Sequence, residues 1–169
     1  MNIEVTKITD KALLNLACQY TVNKQVDVKN MKAFYLSEHS PIRTQLFLIE
    51  MKDIPTFVSV HLVRHNVGVL HFVKTNRDDR NGEPNANRNT PVNHMMIANA
   101  QALINMARKR LCSKSHIDTQ EVMSIIVNKI DEVDHDLACC LVPECEYRGG
   151  CTELSSCGYY ERKEKCHGM

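Results

Sequence analysis

The chain has 169 residues, and its 21 Lys and Arg residues nearly balance its 20 Asp and Glu residues, leaving a formal charge of +1. This balance argues against a general electrostatic attraction to nucleic acid or to an anionic membrane, so any anionic ligand must be held by a local group of cations. The length suits one domain with a sizeable core, and 5% aromatic residues with no tryptophan give little support to base stacking on a single strand.

The sequence shows no feature that would place the protein in or across a membrane. Its N-terminal segment lacks the basic flank and the apolar core of a signal peptide, and no run approaches the roughly 20 apolar residues of a membrane span. We therefore expect a soluble cytoplasmic protein. In such a compartment the eight cysteines are more often thiols or metal ligands than disulfides.

The first third of the chain predicts one strand and two helices. Residues 3–6 form a short strand, and Asp10 is a suitable N-cap for the first helix. A second, short helix ends near Tyr35 or Leu36. The inner face of the first helix carries Leu13, Leu14, Ala17 and Cys18.

The central segment predicts extended structure on both sides of an ambiguous stretch. Residues 44–51 form a largely buried strand and residues 67–75 are again extended. Between them Pro55 can open a helix that runs to Arg64, although the valines of this stretch suit a strand as well. The tract 76–89, rich in Asn, Asp and Gly, predicts a loop.

Two long helices are predicted next. Thr90 as N-cap and Pro91 at the first helical position begin the earlier one, which ends in a basic turn. The Arg and Lys side chains of that turn suit a solvated helix end, and Arg110 can also reach a ligand phosphate. The inner face of this helix includes Met96, Ala100, Leu103, Ile104, Ala107 and Leu111.

The later helix begins at Asp118, with Glu121 three residues on as the partner of a capping box. Ile117 and Val122 are placed to form the hydrophobic staple of this helix start. The apolar seam then continues through Val122, Ile125, Ile126, Lys129, Ile130, Val133 and Leu137. We expect both helices to pack on the sheet or on a neighbouring subunit.

Three short motifs follow one another along the chain. Glu38-His39-Ser40-Pro41 forms a turn before a strand, Arg64-His65-Asn66 follows the ambiguous stretch, and Asn99-Ala100-Gln101 lies in the basic helix. In this order and spacing, residues 34–124 resemble the flavin-dependent thymidylate synthases, the ThyX family, and especially its short divergent members in phage-like sequences. In the family the corresponding motifs are a His-x-Ser-Pro turn, Arg-His-Arg and Asn-Ala-Arg.

The chain also departs from the family pattern. Asn66 replaces the second arginine of Arg-His-Arg, and the family's serine and Arg-Tyr pair fall on Val69, Asn76 and Arg77. The family pattern Ala-Gln-x-Glu-Ile-Arg has its counterpart around Gln120 but ends in a serine, Ser124, instead of the arginine.

The resemblance implies two groups of binding residues. The flavin candidates are Arg64, His65 and Asn66, although His65 can equally be a polar cap at a helix end. The substrate candidates are Ser40, Arg77, Arg80 and Arg110. Among these, Arg77 and Arg80 are our hypothesis for replacing lost phosphate contacts and are not motif matches.

The resemblance also implies the fold and the reaction. The fold is α+β, a ThyX-like mixed sheet packed with long helices in residues 1–138, followed by a cysteine-rich C-terminal extension, 139–169. The reaction is the reductive methylation of dUMP to dTMP with FAD, methylenetetrahydrofolate and NADPH, carried out by a homotetramer, in the host cytoplasm if the chain is viral. The alternative is a catalytically silent ThyX-fold module that binds a nucleotide or a protein and carries a metal-binding tail.

The extension carries a separate signal in four cysteines among glycines. Cys145, Cys151, Cys157 and Cys166 are candidate ligands of zinc or of an iron-sulfur cluster, because glycine-rich turns let thiolates converge on one ion. Their spacing lacks the paired Cys-x-x-Cys of common zinc modules. Free thiols and a disulfide therefore remain open alternatives.

Overall fold

The computed structural model describes residues 1–80, 82 and 85–167, without the side chains of Asp78 and of residues 164–167. The strands are β1 (Asn2–Lys7), β2 (Leu46–Pro55), β3 (Val69–Val73) and β4 (Pro91–Asn99). The α-helices are α1 (Lys11–Val22), α2 (Met31–Leu36), α3 (Thr56–Val63), α4 (Ala100–Arg110), α5 (Ile117–Val133), α6 (His135–Ala138), α7 (Glu144–Arg148) and α8 (Tyr159–His167). Short 3-10 turns occupy Ser40–Thr44 and Asp78–Arg80.

The four strands form one sheet in the order β1-β2-β4-β3, and each neighbouring pair is antiparallel. The expected α+β class is confirmed, but the sheet is antiparallel throughout the described residues and not mixed. The long central strand β2 buries alternate side chains, Phe47, Ile49 and Met51, as a strand does when it packs one face on a core. It is therefore half-buried along its length, and the expectation of a largely buried strand was too strong.

The ambiguous stretch after Pro55 is a helix. In α3 the buried side chains Val58 and Leu62 are four residues apart, so they lie on one helical face, while Val60 between them is 47% exposed. Packing of this face on the sheet decides against the strand that its valines allow.

The expected helix from Thr90 and Pro91 is wrong over its first nine residues, which form β4. Burial alternates along this segment, with Val92, His94, Met96 and Ala98 buried. Hydrogen bonds to β2 on one side and β3 on the other hold the segment extended. The helix begins only at Ala100, where the side chain of Asn99 accepts a hydrogen bond from the backbone N–H of Ala102 at 2.9 Å, so Asn99 is the N-cap and Thr90 is not.

The expected start of the later helix is also displaced. Helix α5 begins at Ile117, and its N-cap is His116, whose Nδ1 accepts from the backbone N–H of Asp118 at 3.3 Å. Ile117 is 67% exposed, which excludes the predicted staple with Val122. The buried face is Thr119, Val122, Met123, Ile126 and Ile130.

The predicted first strand, the Asp10 cap and the end of the second helix are confirmed. Leu13, which was placed on the inner face of α1, is instead 41% exposed, and the buried side chains of α1 are Leu14 and Cys18. Asp10 caps α1 by accepting from the backbone N–H of Leu13, and α2 ends at Leu36. A buried polar junction joins these elements to the long helices, because Asp134 accepts from Tyr35 at 2.8 Å and from Lys7 at 2.7 Å. Burial, together with the charge of Asp134, raises the pKa of Tyr35, so the phenol stays a hydrogen-bond donor.

The extension contacts the core through α7 and α4. The guanidinium of Arg108 lies 3.4 Å from the ring centroid of Tyr147 and forms an ion pair with Glu38. The boundary between residues 138 and 139 stays a prediction. No described helix has the length and apolar composition that a bilayer crossing requires.

Candidate functional site

The end of α3 and the last turn of α4 meet on one side of the sheet. Arg110 donates from Nε to His65 Nε2 at 2.9 Å and from Nη2 to the carbonyl of His61 at 2.8 Å. The chain can turn between α3 and β3 because Gly68 has φ of +76°, and a Cβ there would lie 2.5 Å from the Asn99 side chain. Arg110 thus joins the last turn of α4 to the end of α3.

Positive charges collect at this junction. Burial lowers the pKa of His61, and nearby positive charges lower it further. The groups that contribute this charge are Arg110, Arg64, His116 and Arg88. Burial and the charge of Arg64 lower the pKa of Arg110 in the same way. We call Arg64, Arg88, Arg110, His61 and His65 the cationic cluster.

The arginines of the cationic cluster lack acidic partners. Within the described part of the chain, Arg64, Arg88 and Arg110 make no ion pair with a carboxylate. Arg88 instead lies over the ring of Phe57, 4.9 Å from its centroid. Uncompensated cations repel one another, so an anion between them would stabilise the arrangement.

Helix α5 adds to the positive potential. His61 Nδ1 and the hydroxyl of Thr119, in the first turn of α5, are 2.8 Å apart. The ring of His116, the N-cap of α5, lies 6.5 Å from the ring of His61. The N-terminus of this 17-residue helix therefore faces the cluster, and helix N-termini favour anions.

A chain of hydrogen bonds supports the cluster from inside the sheet. Ser59 Oγ lies 3.1 Å from His94 Nδ1, His94 Nε2 lies 3.0 Å from His71 Nδ1, and His71 Nε2 donates to the carbonyl of His65 at 2.9 Å. Burial, and then the charge of His71, lower the pKa of His94 to about 4. The His94 ring is therefore neutral at pH 7, and it fixes His71 against the His65 backbone.

The structure brings together some of the residues that the sequence singled out. Arg64, His65 and Arg110 belong to the cationic cluster, and Asn66 follows them on the exposed surface. The remaining candidates lie outside the described contacts of the cluster. Ser40 is exposed in its 3-10 turn and lines a separate pocket with Phe34 and His39.

The two loop arginines, Arg77 and Arg80, also make no described contact with the cationic cluster. Arg77 binds Asp79 through Nε at 2.9 Å and Nη2 at 2.8 Å, and both side chains are exposed. Arg80 is exposed in the same turn. Arg88, for which the Asn-rich loop gave no periodic signal, and His61 were not identified from the sequence.

The tail cysteines lie on a different pocket. Cys145, Cys151 and Cys157 line it together with Cys112, which follows α4. Within the residues described, no group of three or more His, Cys, Asp or Glu side chains is arranged to hold a metal ion. The fourth expected ligand, the Cys166 side chain, lies outside the described residues. A tail metal therefore stays a prediction.

The antiparallel sheet with its packed helices, and the cationic cluster beside it, define an α+β protein with a site suited to an anionic ligand. The fold is that of the ThyX-type flavin-dependent thymidylate synthases. Two crystal structures of ThyX from Helicobacter pylori with FAD and dUMP each align with 83% of this chain and 99% of their own, at 13% and 12% identity and a TM-score of 0.66.

A third solved structure is that of a nucleotide methylase. The UMP/dUMP methylase PolB from Streptomyces cacaoi, bound with 5-Br dUMP, aligns with 82% of this chain and 94% of its own at 12% identity, with a TM-score of 0.60. No family model and no curated protein sequence matches the chain. At these identities the likeness establishes the fold, and the expected ThyX-like architecture is confirmed.

Proposed function

We propose that this protein is a FAD-dependent thymidylate synthase of the ThyX type, which methylates dUMP to dTMP with methylenetetrahydrofolate and NADPH. The observation that carries the proposal is the cationic cluster without carboxylate partners, in the fold of the two Helicobacter pylori structures that hold FAD and dUMP. We further propose a homotetramer acting in the cytoplasm, of the host if the gene is viral.

The residues of the cluster fit a flavin dinucleotide. Arg64 and Arg88 would bind its phosphates, since guanidinium groups bind phosphate with two parallel hydrogen bonds. Arg110, a substrate candidate from the sequence, is here assigned to the flavin phosphates as well, because it hydrogen-bonds to His65. His65 would help to orient them, because its ring is already fixed by Arg110. When bound, the flavin supplies the hydride that reduces the transferred carbon, and the protein supplies binding and orientation.

Fewer contacts support the proposed substrate-binding residues. Ser40, Arg77 and Arg80 are proposed to bind the pyrimidine nucleotide, and Asn66 to complete the flavin site in place of the family's arginine. For Arg77 this requires exchange of the Asp79 carboxylate for a phosphate. This exchange costs little free energy, because an exposed ion pair stabilises the protein by only about 0–1 kcal/mol.

A catalytically silent relative is the second candidate, favoured by the missing family positions. Val69, at the place of the family's serine, is 7% exposed and belongs to the core, so it offers nothing to a ligand. Ser124, at the place of the lost arginine, turns its hydroxyl to the carbonyl of Gln120 at 2.9 Å. Such a protein would bind a nucleotide or another protein without turnover.

The test is flavin retention followed by a methylation assay. We expect the purified protein to keep flavin absorbance through desalting after incubation with FAD and dUMP, and to convert dUMP when the co-substrates are added. Arg64→Ala and Arg110→Ala should each weaken FAD binding by about one to two decades, the equivalent of about 1.5–3 kcal/mol for a charged hydrogen bond.

Lys109→Ala is the matched control, because Lys109 is exposed in the same helical turn and should keep wild-type affinity. Flavin binding without turnover would favour the silent module. Wild-type protein that takes up no FAD, even with dUMP present, would overturn the proposed flavoenzyme.

A further inference from the structure

Three side chains form a hydrogen-bonded chain on the surface where α5 ends and α6 begins. In the ring of His135, Nδ1 lies 2.6 Å from Asp131 Oδ1 and Nε2 lies 3.5 Å from the sulfur of Cys139. Each step is four residues long, about one helical turn. The order thiol, imidazole, carboxylate is the one in which a base activates a nucleophile and an acid group orients the base.

The carboxylate decides which nitrogen of His135 faces the thiol. A carboxylate can only accept, so the Nδ1–H of the ring donates to Asp131, and in the neutral imidazole Nε2 remains an acceptor. The S–H of Cys139 therefore donates to Nε2. Transfer of that proton leaves a thiolate beside an imidazolium, and the Asp131 carboxylate stabilises the imidazolium.

The backbone that carries His135 and Cys139 is fixed by the N-cap of α6. Asp134 accepts from the backbone N–H of Leu137 at 3.0 Å and also from the Tyr35 hydroxyl in the buried junction. Leu137 is fully buried. Because α6 has only four residues, these contacts hold both ends of the helix, although the His135 side chain itself is exposed.

The neighbouring thiol, Cys140, has none of these features. Its side chain is 5% exposed and its sulfur donates to the backbone carbonyl of Asp136 at 3.2 Å. Burial, and then the charge of Cys139, raise the pKa of Cys140 to about 11, so this thiol stays protonated at pH 7. Cys139 is partly exposed and lines a cavity of about 310 Å³ between α2, α4 and α7, which leaves room for a substituent on its sulfur.

We propose that Cys139 is a nucleophilic thiol that exchanges with low-molecular-weight disulfides, with His135 as its base and Asp131 as the residue that orients His135. The sulfur of Cys139 attacks one sulfur of R–S–S–R, so that a new S–S bond forms and the S–S bond of the reagent breaks. The thiol proton passes to His135 Nε2 and then to the departing RS⁻, which leaves as RSH. Cys139 is oxidised to a mixed disulfide, and the released half of the reagent is reduced.

This exchange uses neither a flavin nor a nucleotide, so it is independent of the proposed methylation. A second thiol, Cys157, provides a reference within the same chain. Hydrogen bonds from the Ser113 hydroxyl and then from the backbone N–H of Tyr159 lower the pKa of Cys157. Its reactivity therefore comes from other partners and should not depend on His135.

The experiment follows the reaction of the reduced full-length protein with bis(2-hydroxyethyl) disulfide, a neutral reagent, at pH 7. Mass spectrometry of the peptides gives the rate at each cysteine, and fragment spectra distinguish Cys139 from Cys140. A thiol without a base is only a few per cent ionised at pH 7, so full ionisation accelerates attack by up to about 30-fold. We expect His135→Gln to slow labelling of Cys139 about tenfold, while Cys157 in the same sample keeps its rate.

Two carboxylate variants test the orienting role of Asp131. Asp131→Asn should also slow labelling of Cys139, because an amide can donate to Nδ1 and so place the ring proton on Nε2, facing the sulfur. Glu132→Gln is the matched control, since it removes the same charge from the next residue and should keep the wild-type rate. His135, Asp131 and Glu132 all have exposed side chains, so the three variants should fold.

Four results would each overturn the proposal. The first is an unchanged rate at Cys139 in His135→Gln, and the second is an equal slowing of Cys157 in that variant. The third is equal labelling of Cys139 and Cys140 in the wild type. The fourth is an equal effect of Asp131→Asn and Glu132→Gln on the rate at Cys139.

Discussion

Arg110 donates a hydrogen bond from Nε to His65 Nε2 at 2.9 Å. A guanidinium can only donate, so His65 accepts at Nε2 and carries its single proton on Nδ1. Burial, followed by the charges of Arg110 and His71, lowers the pKa of His65 to about 4. The contact therefore exists only with a neutral imidazole, and it makes the geometry of the cationic cluster sensitive to acid.

Acidification should destabilise the fold between the ordinary histidine pKa of 6.5 and about 4. His65 and His94 both have lowered pKa values in the folded state, so over this range the unfolded chain binds more protons. The free energy of unfolding therefore falls as the pH falls through this window and is fully retained above it. Urea unfolding at a series of pH values measures the effect.

The matched variants for this pH dependence are His65→Gln and Asn66→Gln. A glutamine at position 65 can still accept from Arg110 but does not titrate, so this variant should show a shallower loss of stability below pH 6.5. Asn66 is an exposed neighbour without a titratable group, and its substitution should keep the wild-type profile. An unchanged profile in His65→Gln would contradict the prediction.

His94→Leu should cost about 1–3 kcal/mol of stability, the range for leaving buried polar groups without partners. His94 is 1% exposed and joins Ser59 to His71, so both would lose a hydrogen bond. The double variant Ser59→Ala with His94→Leu should recover part of the lost stability, because it removes the Ser59 hydroxyl, which has no partner once His94 is gone. Unfolding in urea gives these values. An unchanged free energy of unfolding in His94→Leu would show that the hydrogen bonds of His94 do not contribute to stability.

Part of this site follows from the sequence. Arg64 and His65 were found through a motif order, which records spacing along the chain, and Arg110 through the basic last turn of its predicted helix. Arg88 was not found, because its position depends on the ring of Phe57, 31 residues away, and no local pattern encodes that contact. Similarly, the apolar positions of 91–99 are compatible with a helix, and only pairing with β2 and β3 makes this segment a strand.

Arg88→Gln should weaken the binding of FAD by about one decade and reduce the salt dependence of that binding. The reason is that Arg88 adds its charge to the cationic cluster without a carboxylate to neutralise it. Fluorescence titration of FAD at low and high salt measures both effects. Lys74→Gln, which changes an exposed cation at the end of β3, serves as the control. Equal FAD affinities for the wild type, Arg88→Gln and Lys74→Gln would exclude Arg88 from the site.

Tyr35→Phe should destabilise the protein by about 1.5–3 kcal/mol, the range for a hydrogen bond to a charged group. The Tyr35 hydroxyl is buried and donates to Asp134, whose side chain is only 6% exposed. Without it, Lys7 is the remaining side-chain donor to this carboxylate among the described contacts. Tyr20→Phe is the matched control, because Tyr20 is 85% exposed. Equal unfolding free energies for the two variants would mean that the Tyr35 contact does not stabilise the junction of β1, α2 and α5.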